Sequence, residues 1–409
     1  MQSTLVPLTR SHGICARICK PLQSSAQTRK LYDMARAAAL LLASSVLLLT
    51  SGGVLAVGCG GTVTTVSGLG GFTDLDWHPT QSKLVGLKGS TDNTGKIFQL
   101  DVSSSGTFTE SVMAGSTTTG YQDNATLTLA QFKEMHKAKW STDGNKVAVS
   151  SGEQTTQPGD TDYKIRVITL EPPGVETVVT ATNSQSSETA FTALAWKGTD
   201  TILYVERNGT SHHLRQVVAS TKTVFEHMTL EKSDLFGPYA SQTRLSSDTI
   251  VDMVFADDTT VYALAHQSTT IYGDYPYTKQ EAHILTIDLT AKTVTTLVNS
   301  TKMMKDPTLT GPQPDVSDSI AISRDKNFLA VTFLRSIFVA RISDGKVAEV
   351  AESSQPFRGV AWNKHEISDS DSLVFSDAEE TKTATGNMCS SGNAPSRPPS
   401  TLAAYIQLW

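Results

Sequence analysis

The chain has 409 residues, 39% of them hydrophobic and 7% aromatic, which is enough to build a core. Residues 1–58 hold six basic residues and one acid; the remainder holds 28 basic and 39 acidic residues, a net charge of −11. An acidic body with no Lys/Arg run excludes nucleic acid as a partner, because phosphate contacts need clustered positive charge.

Residues 37–58 carry no charge and follow Met34 and Arg36, the order of regions in a secretory signal. The stretch ends Leu55-Ala56-Val57-Gly58-Cys59-Gly60 and resembles the bacterial lipobox, although Ala56 stands where Leu is commoner. The resemblance implies a thioether lipid on Cys59, cleavage after Gly58 and acylation of the new N-terminus. Two or three acyl chains anchor stably where one does not. Two other readings stay open. The 22 uncharged residues are long enough for an uncleaved membrane helix, and a signal can be cleaved without lipidation. All three put the body outside the cytoplasm. Under Gram-negative lipoprotein sorting rules, Gly60 after the Cys implies the outer membrane, facing the periplasm or the cell surface. Counted from Met34 the signal has 25 residues, an ordinary length, so translation is expected to start there. Otherwise residues 1–33 read as a transit peptide. The expected division is a targeting segment 1–58, a tether 59–61 and a domain 62–409.

Thr and Ser form roughly a quarter of the chain, which favours strands and turns. From residue 62 one pattern recurs: an apolar-alternating strand ending in a large residue, a short polar turn, then further hydrophobic strands. The large residues are Trp77, Trp140, Trp196, Phe255, Ile322 and Trp362. Two residues before each stand Leu75, Ala138, Leu194, Met253, Ile320 and Val360, on the same strand face. Four antiparallel strands per repeat make one propeller blade. The sixth repeat shows only three strands, the last expected at Leu402–Trp409. Thr62–Ser67 supplies the missing fourth and pairs beside it. The prediction is all-β: a six-bladed β-propeller closed by an N-terminal strand in the last blade.

Trp140-Ser141-Thr142-Asp143-Gly144-Asn145 resembles the turn of TolB-like and WD-type propeller repeats. Phe255-Ala256-Asp257-Asp258 and Ile322-Ser323-Arg324-Asp325 are degenerate copies. The resemblance implies binding or scaffolding rather than a reaction, so protein partners or envelope polymers are expected.

Alternating strand direction puts the loops after second and fourth strands on one face. That face holds the long segments Ala114–Lys137, Gly152–Tyr163, Thr229–Asp248, Gln267–Ala282, Ser300–Pro314 and Asp377–Ser400. It is the expected functional rim, with Tyr272, Tyr275 and Tyr277 as a candidate contact patch. Asp74, Asp76 and Asp252 lie on innermost strands and are expected at the channel. The alternative function is ligand binding or hydrolysis of glycans or peptides at the channel mouth, with paired carboxylates such as Asp74 and Asp76 binding a cation or acting as acid and base. His212-His213 and His78 read as solvated turn residues. Cys15, Cys19 and Cys389 suggest no disulfide framework, and no metal or cofactor motif is present. Asp377–Ser400 reads as a flexible insertion.

Overall fold

The computed structural model describes residues 62–66, 69–88, 95–152, 163–181, 190–208, 211–236, 246–271, 277–299, 303, 318–364, 372–377 and 381–385. The chain divides after Leu55, and every described residue belongs to the second unit, Ala56–Trp409. Cys15, Cys19, Cys59 and Cys389 lie outside the described residues.

The described chain opens with β1 (Thr62–Thr65). Blade 1 is β2 (Phe72–Trp77), β3 (Lys83–Lys88), β4 (Ile97–Val102) and β5 (Phe108–Ala114). Blade 2 is β6 (Met135–Trp140), β7 (Lys146–Ser151), β8 (Lys164–Thr169) and β9 (Gly174–Thr180). Blade 3 is β10 (Ala190–Lys197), β11 (Thr201–Asn208), β12 (Ser211–Val218) and β13 (Thr223–Leu230). After a one-turn helix, α1 (Lys232–Phe236), blade 4 is β14 (Ser246–Phe255), β15 (Thr260–Ile271), β16 (Tyr277–Asp288) and β17 (Thr293–Val298). Blade 5 is β18 (Ile320–Ile322), β19 (Phe328–Phe333), β20 (Ser336–Arg341) and β21 (Val347–Glu352). The last blade holds β22 (Phe357–Trp362), β23 (Ser372–Asp377) and β24 (Thr381–Thr385). First strands lie against first strands all the way round, and β22 returns against β2. The fold is the predicted six-bladed β-propeller.

Burial explains the patterns. Second strands are covered on both faces and read as continuous apolar runs; every residue of β19 is buried. The outer strands β13 and β17 are largely exposed. The cores lie between blades: Phe72, Leu75 and Trp77 of blade 1 pack with Ala361 and Val374 of the last. Five first strands shift register at the same place, between the fifth and third residues before the large aromatic position. Such a bulge sharpens the twist and re-aims one side chain.

The closing sheet has the order β1-β24-β23-β22. Thr62–Thr65 supplies the fourth strand as expected, but its neighbour differs. Thr62 pairs with Thr385 and Thr65 with Lys382. The third strand is therefore β24, not Leu402–Trp409, which lies outside the described residues. The segment TKTAT falls inside the stretch read as a flexible insertion. It has no apolar alternation; its β-branched threonines carry the strand preference, and Ala384 reaches the core.

Trp362 pairs with Leu373, Ser372 with Thr385, and Thr385 with Thr62. Chain entry and exit thus share the short-loop face, where the aromatic positions end. The long-loop face needs two corrections. Gln267–Ala282 is mostly not a loop: β15 and β16 have 12 residues each and stay paired out to Ile271 and Tyr277. They form a hairpin running past β17, whose ladder with β16 stops at Ile284. The connection between β5 and β6 is not a loose loop either. Asp123 accepts hydrogen bonds from Arg166 Nε and Nη2 at 3.0 and 2.8 Å and from Thr177 N at 2.7 Å. The Arg166 guanidinium is fully buried and lies 4.6 Å from the Phe132 ring.

Removing the carboxylate should strand that buried cation. Asp123→Ala is expected to lower stability by about 3 kcal/mol, read by urea unfolding, whereas the double change with Arg166→Met should recover most of the loss.

Candidate functional site

The site is built at the axis by residues one and three positions before each aromatic. The inner edge of a first strand has no neighbouring strand, so its N–H groups need other acceptors. Asp74 Oδ2 accepts the Ala138 N–H of the next blade at 2.8 Å, and Asp252 Oδ2 accepts Ile320 N–H at 3.1 Å. Asp76 Oδ2 accepts the Trp140 N–H at 2.8 Å. The geometry is the same each time: a carboxylate of one blade caps the strand edge of the next. In the last blade the equivalent of Asp74 is Gly359, where a Cβ would lie 3.2 Å from Leu75 N.

The structure brings Asp74 and Asp252 together, although they are far apart in sequence. Lys139 Nζ lies 3.2 Å from Asp74 Oδ1 and 3.0 Å from Asp252 Oδ2. Lys137 Nζ lies 3.8 and 3.7 Å from the same two carboxylates and donates to the Asp318 carbonyl at 2.8 Å. Neither Asp74 nor Asp252 has exposed surface. Burial opposes ionising both. It wins at Asp74, whose pKa is raised; at Asp252 the lysines and the Ile320 N–H win, and its pKa is lowered. Burial alone would lower the pKa of Lys139, but the two carboxylates reverse it and raise it. Asp318 is buried beside them, and neither oxygen takes a hydrogen bond of good geometry. Burial pushes its pKa well up, against Lys137 and the Leu334 N–H.

Asp76 sits apart, ion-paired with Lys364 at 3.3 Å. Asp74 and Asp76 thus have different partners: each carboxylate has its own cation and caps its own N–H on the edge of β6. Lys137 and Lys139 went unremarked in the sequence. The signal was there, since Lys137-Ala138-Lys139 occupies the repeat positions of Asp74-Leu75-Asp76, with the charge reversed.

On the short-loop face the axis opens into a cavity of about 460 Å³. Trp140, Trp196, Trp362 and Met253 line it, and Lys139 is at its floor. Trp196 Nε1 donates to the Lys139 carbonyl at 2.8 Å, joining blades 3 and 2.

His78 is not a solvated turn residue. It is 2% exposed and packs edge-on against Trp140, with centroids 4.7 Å apart. Its Nδ1 accepts the N–H groups of Thr80 and Gln81 at 3.1 and 3.0 Å, so the proton sits on Nε2, facing the Gly144 carbonyl at 3.2 Å. Burial, then Lys83, lowers its pKa to about 4. Gly144 is required there: its φ is +73°, and a Cβ would lie 2.1 Å from the His78 ring. His212-His213 lies within β12, His212 buried and His213 facing Glu226 at 3.5 Å. Side chains at adjacent strand positions face opposite ways, so the pair does not chelate one ion, and no metal-binding group occurs among the described residues. Tyr272 and Tyr275 lie outside the described residues; Tyr277 opens β16. The apolar segment 37–58 also lies outside them, and no described helix is long and apolar enough to cross a membrane.

No family model matches the chain, and no curated protein matches it. Solved structures similar to it include TolB from Acinetobacter baumannii, at 11% identity and TM-score 0.41 over 77% of this chain and 66% of that one. The propeller domain of Myceliophteria thermophila Cps50 (Swd1) gives 8% and 0.44 over 80% and 99%. A chain in the mitotic checkpoint complex gives 12% and 0.43 over 80% and 91%. TolB and other propellers are thus among its structural neighbours.

Two outcomes follow from the axis. Lys139→Met should cost about 3–5 kcal/mol by leaving buried carboxylates short of a cation. Adding Asp74→Asn and Asp252→Asn should restore part of it in the same urea titration. For His78 the folded state binds its proton less readily than the unfolded chain. Its contribution is therefore complete above the ordinary His pKa of about 6.5 and is lost as pH falls towards about 4. Between those pH values, stability of the His78→Gln variant should vary less steeply than that of the natural protein.

Proposed function

We propose that this chain is an interaction module held at a membrane surface outside the cytoplasm by a lipid on Cys59, and that it docks a protein partner on its long-loop face. The observation that carries this reading is where the chain enters the ring. Thr62 sits at the short-loop end of the last blade, so a tether starting at Cys59 leaves from the face opposite the β15–β16 hairpin. The end of that ladder, Ile271 opposite Tyr277, then lies on the face away from the anchor, and the stretch that joins its strands carries Tyr272 and Tyr275 in the sequence. Tyrosines on a rigid support suit partner contact because their large area is ordered at small entropic cost. A hydrolytic reading gains no support, since Asp74 and Asp252 are buried and already bound to lysines.

Two measurements test the two halves. Intact mass of the mature chain should show a diacyl or triacyl species beginning at Cys59; an unmodified or longer N-terminus would remove the lipid anchor. Cross-linking in detergent-solubilised envelope should yield a defined partner adduct that falls at least tenfold when Tyr272, Tyr275 and Tyr277 are all changed to Ser. An adduct unaffected by the change would remove the long-loop docking face.

A further inference from the structure

The axial cavity lies on the face opposite the hairpin and has a chemistry of its own. Its walls are apolar, formed by Trp140, Trp196, Trp362 and Met253, while its mouth carries Lys197, Arg324, Lys326 and Lys364. The acids lining it are Asp76, Asp257 and Asp258. Asp76 is matched by Lys364, and Asp257 Oδ1 accepts the N–H groups of Thr259 and Thr260 at 2.8 Å each. Lys197 and Lys326 have no ion pair among the described residues. Lys139 is matched by Asp74 and Asp252; with it set aside, four cations and three carboxylates line the cavity, within a body whose net charge is −11. The recess is thus an apolar-walled spot with a small excess of cations on an acidic protein.

We propose that this recess binds an extended acidic peptide segment, seating an apolar side chain against the tryptophans and setting carboxylates against Lys197 and Lys326. Volume and charge both select that occupant. About 460 Å³ falls in the range of sites that take a few side chains and is too small for a folded domain. A flat bilayer does not enter a recess of that size, whereas a narrow chain reaches the cations inside. β1 is the outermost strand of its blade, so a tether there holds the ring by its edge and leaves the axis open.

The test uses the full chain in dodecyl maltoside and a fluorescein-labelled octapeptide of alternating leucine and glutamate. Saturable binding is expected, weakening at least tenfold between 50 and 300 mM salt. A peptide with glutamine in place of glutamate should bind at least tenfold more weakly. The double variant Lys197→Glu, Lys326→Glu should bind the acidic peptide at least tenfold more weakly with unchanged thermal unfolding. Ala195→Trp, which fills the recess from its wall, should abolish binding. Should either variant unfold, the salt dependence and the comparison with the glutamine peptide, both read on the natural protein, decide instead. No saturable binding, equal binding of the glutamine peptide, or indifference to the lysine changes in a folded variant would each overturn the proposal. So would stronger displacement of the probe by short-chain phosphatidylglycerol than by unlabelled peptide, which would assign the recess to lipid headgroups. These outcomes are independent of the Tyr272–Tyr277 hairpin.

Discussion

Pairing between Thr62–Thr65 and Thr381–Thr385 places the two ends of the described chain in one sheet. A ring of blades has no first or last member, whereas a chain has two ends. Without this pairing the last blade would present an unpaired edge at β24, and edges of that kind recruit foreign strands. With it, the blade 6 to blade 1 contact becomes like the other five, and Phe72 and Leu75 pack on Ala361 and Val374 as a continuous core.

The axis poses a second constraint. Inner strands converge there, and their inward N–H groups meet no further strand. Carboxylates at one repeat position answer that need, but they introduce buried negative charge. Lys137 and Lys139 balance it, each within reach of both Asp74 and Asp252. The channel carboxylates are thus engaged in strand-edge capping and in pairing with these lysines.

How much of this can be read from sequence depends on the length scale of the signal. Blade number and inner-strand position follow from the large residue at Trp77, Trp140, Trp196, Phe255, Ile322 and Trp362, because a two-residue period and a repeat are local features. The need for a closing strand is legible for the same reason. Its partner is not: TKTAT carries little hydrophobicity, while LAAYIQLW carries much, and pattern follows hydrophobicity. The hairpin of blade 4 reads as a loop because His266–Thr270 is polar, although its ladder runs on to Ile271 and Tyr277. His78 and the lysines depend on contacts between residues some 60 positions apart or more, and no local window contains both partners. The degenerate turn Ser323-Arg324-Asp325-Lys326-Asn327 shows the converse. Its spelling has drifted, yet Ser323 Oγ still donates to Asp325 at 2.6 Å, and Lys326 takes the positive φ, +59°, that Gly144 takes in the intact copy.

The facing of Thr62 and Thr385 across the seam also has a mechanical meaning. In that antiparallel pair the flanking chain leaves from the same end on both strands. Tension between the N- and C-terminal flanks would therefore load the four pairs one after another, like a zip, and not all together in shear. The seam is the point where a pulling force would open the ring, at a modest threshold and from the recess side first.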